Sequence, residues 1–147
     1  MFPQAKKDLF LRTTELTNGA TGTAILDTLG FDFAAIDLIA TTSSAATNNP
    51  SVLKLSEADD TNATSFSDIT AFVGDGSGGF TIPNSNTATA SNSLYTFNVD
   101  LRHRKRYLKL TVSPVATQSF TGLAQLHRGE VSPASAADVN ALAVVSG

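Results

Sequence analysis

Apolar and polar positions alternate strictly from Leu94 to Leu101, which sets Tyr95, Phe97, Val99 and Leu101 on one face. The alternation resumes from Tyr107 to Val112, with Leu108, Leu110 and Val112 in phase. A period of two, rich in β-branched and aromatic residues, marks a half-buried antiparallel strand. The spacing predicts one uninterrupted β-hairpin over residues 94–112, with Arg102-His103-Arg104-Lys105-Arg106 at its tip.

The same period predicts further strands over residues 9–16, 22–29, 35–41, 51–57, 69–73 and 120–128, with a short one at 80–83. Asn18-Gly19 closes the first of them with a favoured turn dipeptide. Residues 42–50 and 84–92 are polar connections, and 59–62 and 74–79 are turn-rich. Helical periodicity is weak and confined to residues 139–145, with at most one helical turn over 134–138. Many short strands separated by turn signals predict an all-β fold, an antiparallel β-sandwich of jelly-roll-like type. An extended N-terminal arm at 1–12, a sandwich domain at 13–131 and a C-terminal tail at 132–147 complete the expected organisation.

The chain has 147 residues and a hydrophobic content of 41%, the size of one domain with a sizeable core. It contains no cysteine, which removes disulfides, thiolate zinc sites and thiol nucleophiles together. Residues 1–7 are not followed by a sustained apolar region, so no signal peptide is expected. No run reaches the length of a membrane helix, so a soluble chain without a membrane partner is expected. The net charge of −3 argues against a general nucleic-acid binder, whose affinity comes from neutralising phosphates. The cations are nonetheless clustered, half of the ten Lys and Arg residues lying between Arg102 and Lys109.

Few motifs carry chemistry. Gly74-Asp75-Gly76-Ser77-Gly78-Gly79 matches the glycine spacing of a dinucleotide loop, but such a loop must open a helix. Here it precedes Phe80-Thr81-Ile82-Pro83, which is strand-like, so an inter-strand loop is expected. Glu57, Asp59, Asp60 and Asp68 could supply oxygens to Ca²⁺, yet Asn62 stands where an EF-hand loop counted from Glu57 needs glycine. His103 and His127 lack partners at metal-ligand spacing, and no nucleophile elbow is present. Asn62-Ala63-Thr64 is formally a glycosylation sequon. Neither catalysis, a cofactor nor a metal is expected.

The Arg102, Arg104, Lys105 and Arg106 cluster admits three roles. It can be a solvated turn that discourages edge-to-edge aggregation, or a contact for an acidic protein surface. Nucleic-acid contact would want interleaved aromatic residues, which are absent. At the other end, an arm bearing Phe2 and Phe10 as apolar anchors and Lys6, Lys7 and Arg12 as cations could add a strand to a partner's sheet edge.

Several stretches resemble a group of small virion proteins of tailed bacteriophages and prophages. They are Phe31-Asp32-Phe33-Ala34-Ala35-Ile36-Asp37, Pro50-Ser51-Val52-Leu53-Lys54-Leu55, the Asp59-Asp60-Thr61 to Ile69 segment, and Phe97 to Leu110. The layout is also similar to capsid decoration, or cement, proteins. That resemblance covers about residues 25–130 and implies a small β-sandwich, often a homotrimer, bound to the major capsid protein on the outer surface of the head. Two other roles stay open: a host-attachment or carbohydrate-binding module of a fibre, and a head–tail connector component.

Overall fold

The computed structural model describes residues 5–41, 50–83, 92–128 and 143–146. Nine strands run in the order β1 (Ala5–Arg12), β2 (Gly22–Asp27), β3 (Phe33–Thr41), β4 (Pro50–Ala58), β5 (Ser67–Val73), β6 (Asn92–Asp100), β7 (Tyr107–Pro114), β8 (Phe120–His127) and β9 (Ala143–Ser146). No helix occurs among the described residues.

Two sheets form, one ordered β1-β8-β3-β6-β9 and the other β2-β7-β4-β5. The first eight strands pair antiparallel as β1 with β8, β2 with β7, β3 with β6 and β4 with β5. The chain is therefore a long two-stranded ribbon that doubles back between β4 and β5 and then rolls up. The pairs β3·β8 and β4·β7 close the roll. This is jelly-roll topology. β9 stands outside the ribbon and pairs with β6 in parallel.

The alternation seen in the sequence is what fills the space between the sheets. Ile36, Leu38, Tyr95, Phe97, Phe120 and Leu126 project from one sheet, and Leu26, Leu53, Leu55, Phe72, Leu108 and Leu110 from the other, each nearly or fully buried. The Phe97 ring meets Phe72 and Phe80 edge-on, at centroid distances of 6.0 and 5.7 Å. Such T-shaped pairs place ring edges against ring faces and add to the area they bury.

One expectation fails. Residues 94–112 are not a hairpin, because β6 and β7 lie in different sheets. Alternation alone cannot distinguish a hairpin from an arch that crosses the core, since both point the same residues inward. The connection itself decides. It lacks the Asn-Gly or Asp-Gly pair that a tight hairpin turn wants. The Leu101 N–H donates to the Asp32 carbonyl at 2.8 Å on the side of β3, while the Arg106 carbonyl accepts from the Thr28 N–H at 3.0 Å on the side of β2. Leu101 itself is buried. Residues 101–106 thus step across the roughly 10 Å that separates packed sheets.

Two further boundaries shift. Residues 5–12, expected within an extended arm whose last four residues also began the strand predicted over 9–16, form β1 and pair along β8 from Ala5↔His127 to Arg12↔Thr121. Within the expected tail, residues 143–146 form a strand, although the sequence over 139–145 shows weak helical periodicity. Four residues are too few for a 3.6-residue period to be told from a period of two. The suggested helical turn at 134–138 and the arm's first four residues lie outside the described residues.

Candidate interaction surface

The tip of the sandwich holds the basic cluster, and its charges are satisfied from within the chain. Arg106 donates through Nε and Nη2 to both carboxylate oxygens of Asp27 at the end of β2, at 2.9 and 2.7 Å. Arg102 makes the same two-pronged contact with Asp100, at 2.9 and 2.6 Å. Arg104 lies 3.8 Å from Glu57 and Lys105 3.7 Å from Asp59. The Lys105 N–H also donates to Glu57 at 3.1 Å. The guanidinium of Arg102 sits over the Phe33 ring and that of Arg106 over the Tyr107 ring, at 5.1 and 4.8 Å.

The hydrogen bonds from Arg106, reinforced by the Leu29 N–H, hold the Asp27 carboxyl down to about 2 against a mild opposing desolvation. Those from the Arg102 side chain and backbone do the same for Asp100. Asp27, Glu57 and Asp59 belong to β2, β4 and the turn that follows β4, so the cluster ties the crossing segment to the four-stranded sheet. An acidic protein surface would have to displace a carboxylate already in place on each of these cations.

The acidic residues weighed as a calcium site are dispersed in the same way. Glu57 and Asp59 serve the tip. Asp60 accepts from the Asn62 N–H at 2.8 Å, an Asx-type turn. Asp68 accepts from Lys54 and Ser56, each at 2.8 Å. Desolvation pushes the Asp68 carboxyl up, but those two donors outweigh it and leave it below its ordinary value. In the sequon, Asn62 Oδ1 accepts from the N–H and the hydroxyl of Thr64. Among the described residues, no three His, Cys, Asp or Glu side chains converge as a metal site would require.

The glycine-rich run is a tight return between β5 and Phe80. Asp75 adopts a positive φ of 55°, and its carboxylate accepts from the Ile82 N–H at 3.0 Å. The Phe80 N–H closes onto the Val73 carbonyl at 3.2 Å. A Cβ on Gly79 would stand 1.9 Å from that same carbonyl oxygen, which accounts for the glycine there. The glycines serve close packing of the loop on itself, with no helix behind them.

A different face remains unspent. Opposite the core, the outer surface of the five-stranded sheet presents cross-strand rows at its β1–β8 end. Leu9 lies beside Leu123, which in turn lies beside Asp37. Lys7 pairs with Gln125 on one side of that row, and Arg12 with Thr121 on the other. Leu9 is 55% exposed and Leu123 38%. Two leucines thus sit in water, flanked by two cations, next to an edge of β1 that no other described strand pairs with.

The bulge at Phe10 makes this arrangement possible. The register slips between Leu9 and Leu11, so one extra residue is accommodated and the strand bends. Leu11 turns into the core and Phe10 packs partly against it, over Gly122, where an added Cβ would stand 3.3 Å from the Phe10 ring. Of the arm residues, Phe10 therefore serves this chain's own core, Lys6 pairs with Asp8 at 3.4 Å, and Lys7 and Arg12 are exposed. Phe2 lies outside the described residues. Leu9 and Leu123 escaped the sequence reading, although a signal exists. Leu123 is out of phase with Phe120, Gly122, Ala124 and Leu126, and an out-of-phase leucine on a half-buried strand points to solvent.

No protein-family model matches this chain, and neither does any curated protein.

Proposed function

We propose that this chain is a structural adhesion module, a capsid decoration protein that binds the outer surface of a tailed-phage head and bridges neighbouring capsid subunits. The resemblance to small virion proteins supplies the setting. One observation carries the reading on the molecule itself: the exposed Leu9–Leu123 pair with Lys7 and Arg12 on either side. An apolar centre rimmed by charge is the usual anatomy of a protein contact. Its chemistry fits an apolar patch flanked by carboxylates on a capsid subunit.

A single small contact of this kind is weak. A homotrimer engaging several sites at once would gain avidity through effective concentration, which suits a cement that must hold a shell under outward pressure. The tip cations Arg102, Arg104, Lys105 and Arg106 then stiffen the sandwich, and the arm cations Lys7 and Arg12 steer it.

The test uses empty expanded capsids of the phage or prophage that encodes the chain. The native protein should co-sediment with them. Leu9→Ser with Leu123→Ser should weaken binding by about thirtyfold, the worth of a modest hot spot of about 2 kcal/mol, with melting unchanged. Capsid binding undiminished in that double variant, or no binding by the native protein, would overturn the reading.

A further inference from the structure

We infer that β9 is an exchangeable clasp, and that the β6 edge is a docking site for the C-terminal strand of a second copy of this chain. The ribbon of β1 to β8 forms a complete roll without β9. Among the described residues, β9 adds to the outside of that roll through four register pairs, Tyr95↔Ala143 to Asn98↔Ser146, along a β6 that is nine residues long. It makes the one parallel ladder among the described strands. It also lies beside β5 of the opposite sheet, so it caps the side of the sandwich where the two sheets meet. Whichever copy supplies it, that cap is the same.

Chain length permits either source. β9 is the third strand from β8 in its sheet, which is about 14 Å at ordinary strand spacing. His127 is level with Asp100 through Phe33, and Ala143 is level with Tyr95, five residues back along β6, or about 17 Å. The straight span is then roughly 22 Å, while the fourteen residues between Arg128 and Ala143 can extend to about 50 Å. A tether of twice the needed length does not oblige a strand to dock on its own body.

Exchanging an identical element between copies forms no new kind of contact, so its cost is mostly in concentration. A tethered strand sees its own site at an effective concentration in the millimolar range. Dilute protein should keep β9 at home. Copies held close together, at high concentration or in an assembly, should exchange it, and head-to-tail donation about a rotation axis closes into a ring. This inference does not depend on the virion reading, and its test uses no capsid.

The absence of native cysteine makes that test clean. Thr96 and Val144 are register partners, as are Asn98 and Ser146. Thr96→Cys and Val144→Cys chains of different mass, one carrying a tag, are mixed at about 1 mM, in the range of that effective concentration, and oxidised. Mixed disulfide dimers should exceed either symmetric dimer. The doubly substituted chain should form covalent multimers whose share rises with the concentration before oxidation. Asn98→Cys with Ser146→Cys repeats the test should the first pair fail to fold or to meet disulfide geometry. Disulfides confined within single chains at every concentration would overturn the proposal, as would failure of both pairs to form any disulfide.

Discussion

Replacing Gly79 with alanine tests the glycine-rich return at its tightest point. The new Cβ would lie 1.9 Å from the Val73 carbonyl oxygen, 3.0 Å from its carbon and 3.1 Å from the Thr70 oxygen. All three are backbone atoms of β5, so no side-chain rotation relieves the clash and the loop must move by more than an ångström. That movement breaks the Phe80 N–H bond to Val73 and strains the Asp75 N–H bond to Phe80, which measure 3.2 and 2.7 Å. Two such bonds contribute about 2 kcal/mol together. Shifting Phe80 off its edge-on contact with Phe97 costs about another 1 kcal/mol. A loss of about 3 kcal/mol should lower the melting midpoint by about 10 °C in a domain of this size. Circular dichroism melts and urea titrations at constant m-value measure it. Gly78→Ala provides the scale, because its φ of +78° asks an alanine to adopt a left-handed conformation, at about 1–2 kcal/mol. Ser77→Ala, exposed in the same loop, should fall within about 0.5 kcal/mol of the parent. A Gly79→Ala protein melting within about 3 °C of the parent, or one more stable than Gly78→Ala, would refute this packing of the loop.

Three other outcomes follow from the core and the tip. Phe97→Ala removes a ring that is 1% exposed and touches two others, and should cost about 4 kcal/mol in urea titration; a cost under about 1 kcal/mol would mean the sheets do not pack around it. The Asp27 carboxyl sits at about 2 when folded against an ordinary 3.8, so its pairing with Arg106 stabilises the fold fully above the ordinary value and is lost as pH falls through the folded one. Because the pair is exposed, solvent screening keeps this contribution small, and Asp27→Asn should flatten that part of the stability–pH curve, whereas an unchanged curve would deny the pair a role. Glu57→Gln should loosen the crossing segment, since it removes the charge facing Arg104 and weakens the acceptor for the Lys105 N–H; faster amide exchange at residues 104–106 with unchanged exchange in β3 would report it, and unchanged exchange at both would refute it.

The fold class was legible because alternation is a local property. Leu108, Leu110 and Val112 announce an inward face whatever they pair with, and Phe120 to Leu126 do the same. What alternation does not encode is the identity of the neighbouring strand. The hairpin expected at 94–112 became a crossing between sheets for that reason, and the hydrogen bonds that reveal it, at Asp32 and Thr28, come from residues about 70 or more positions away. The arm met the same difficulty. The strand expected over 9–16 is observed over 5–12, and the bulge at Phe10 shifts the phase on its two sides, so the alternation of Leu9 and Leu11 does not carry back through the lysine pair to mark where β1 begins.

Charge was similarly half readable. The cluster at 102–106 is plain in the sequence, yet its partners Asp27, Glu57 and Asp59 become neighbours only after the ribbon rolls up. A cluster that looks available in one dimension is occupied in three. The Leu9–Leu123 row shows the converse, since two leucines 114 positions apart form a patch only through the β1·β8 register. The glycine run matched a ligand-binding pattern, but its glycines answer to contacts with Val73 at the end of β5 and with Ile82 beyond the turn.

Whether this chain works as a shell adhesive is decided by imaging intact particles of the encoding phage or prophage at a resolution that separates strands. The expected image has copies spread over the whole exterior of the head, each turning the outer surface of its β1–β8 pair towards a capsid subunit, with Leu9 and Leu123 at the contact. Particles whose exterior lacks the chain, or which carry it only as a ring at one vertex, would contradict it.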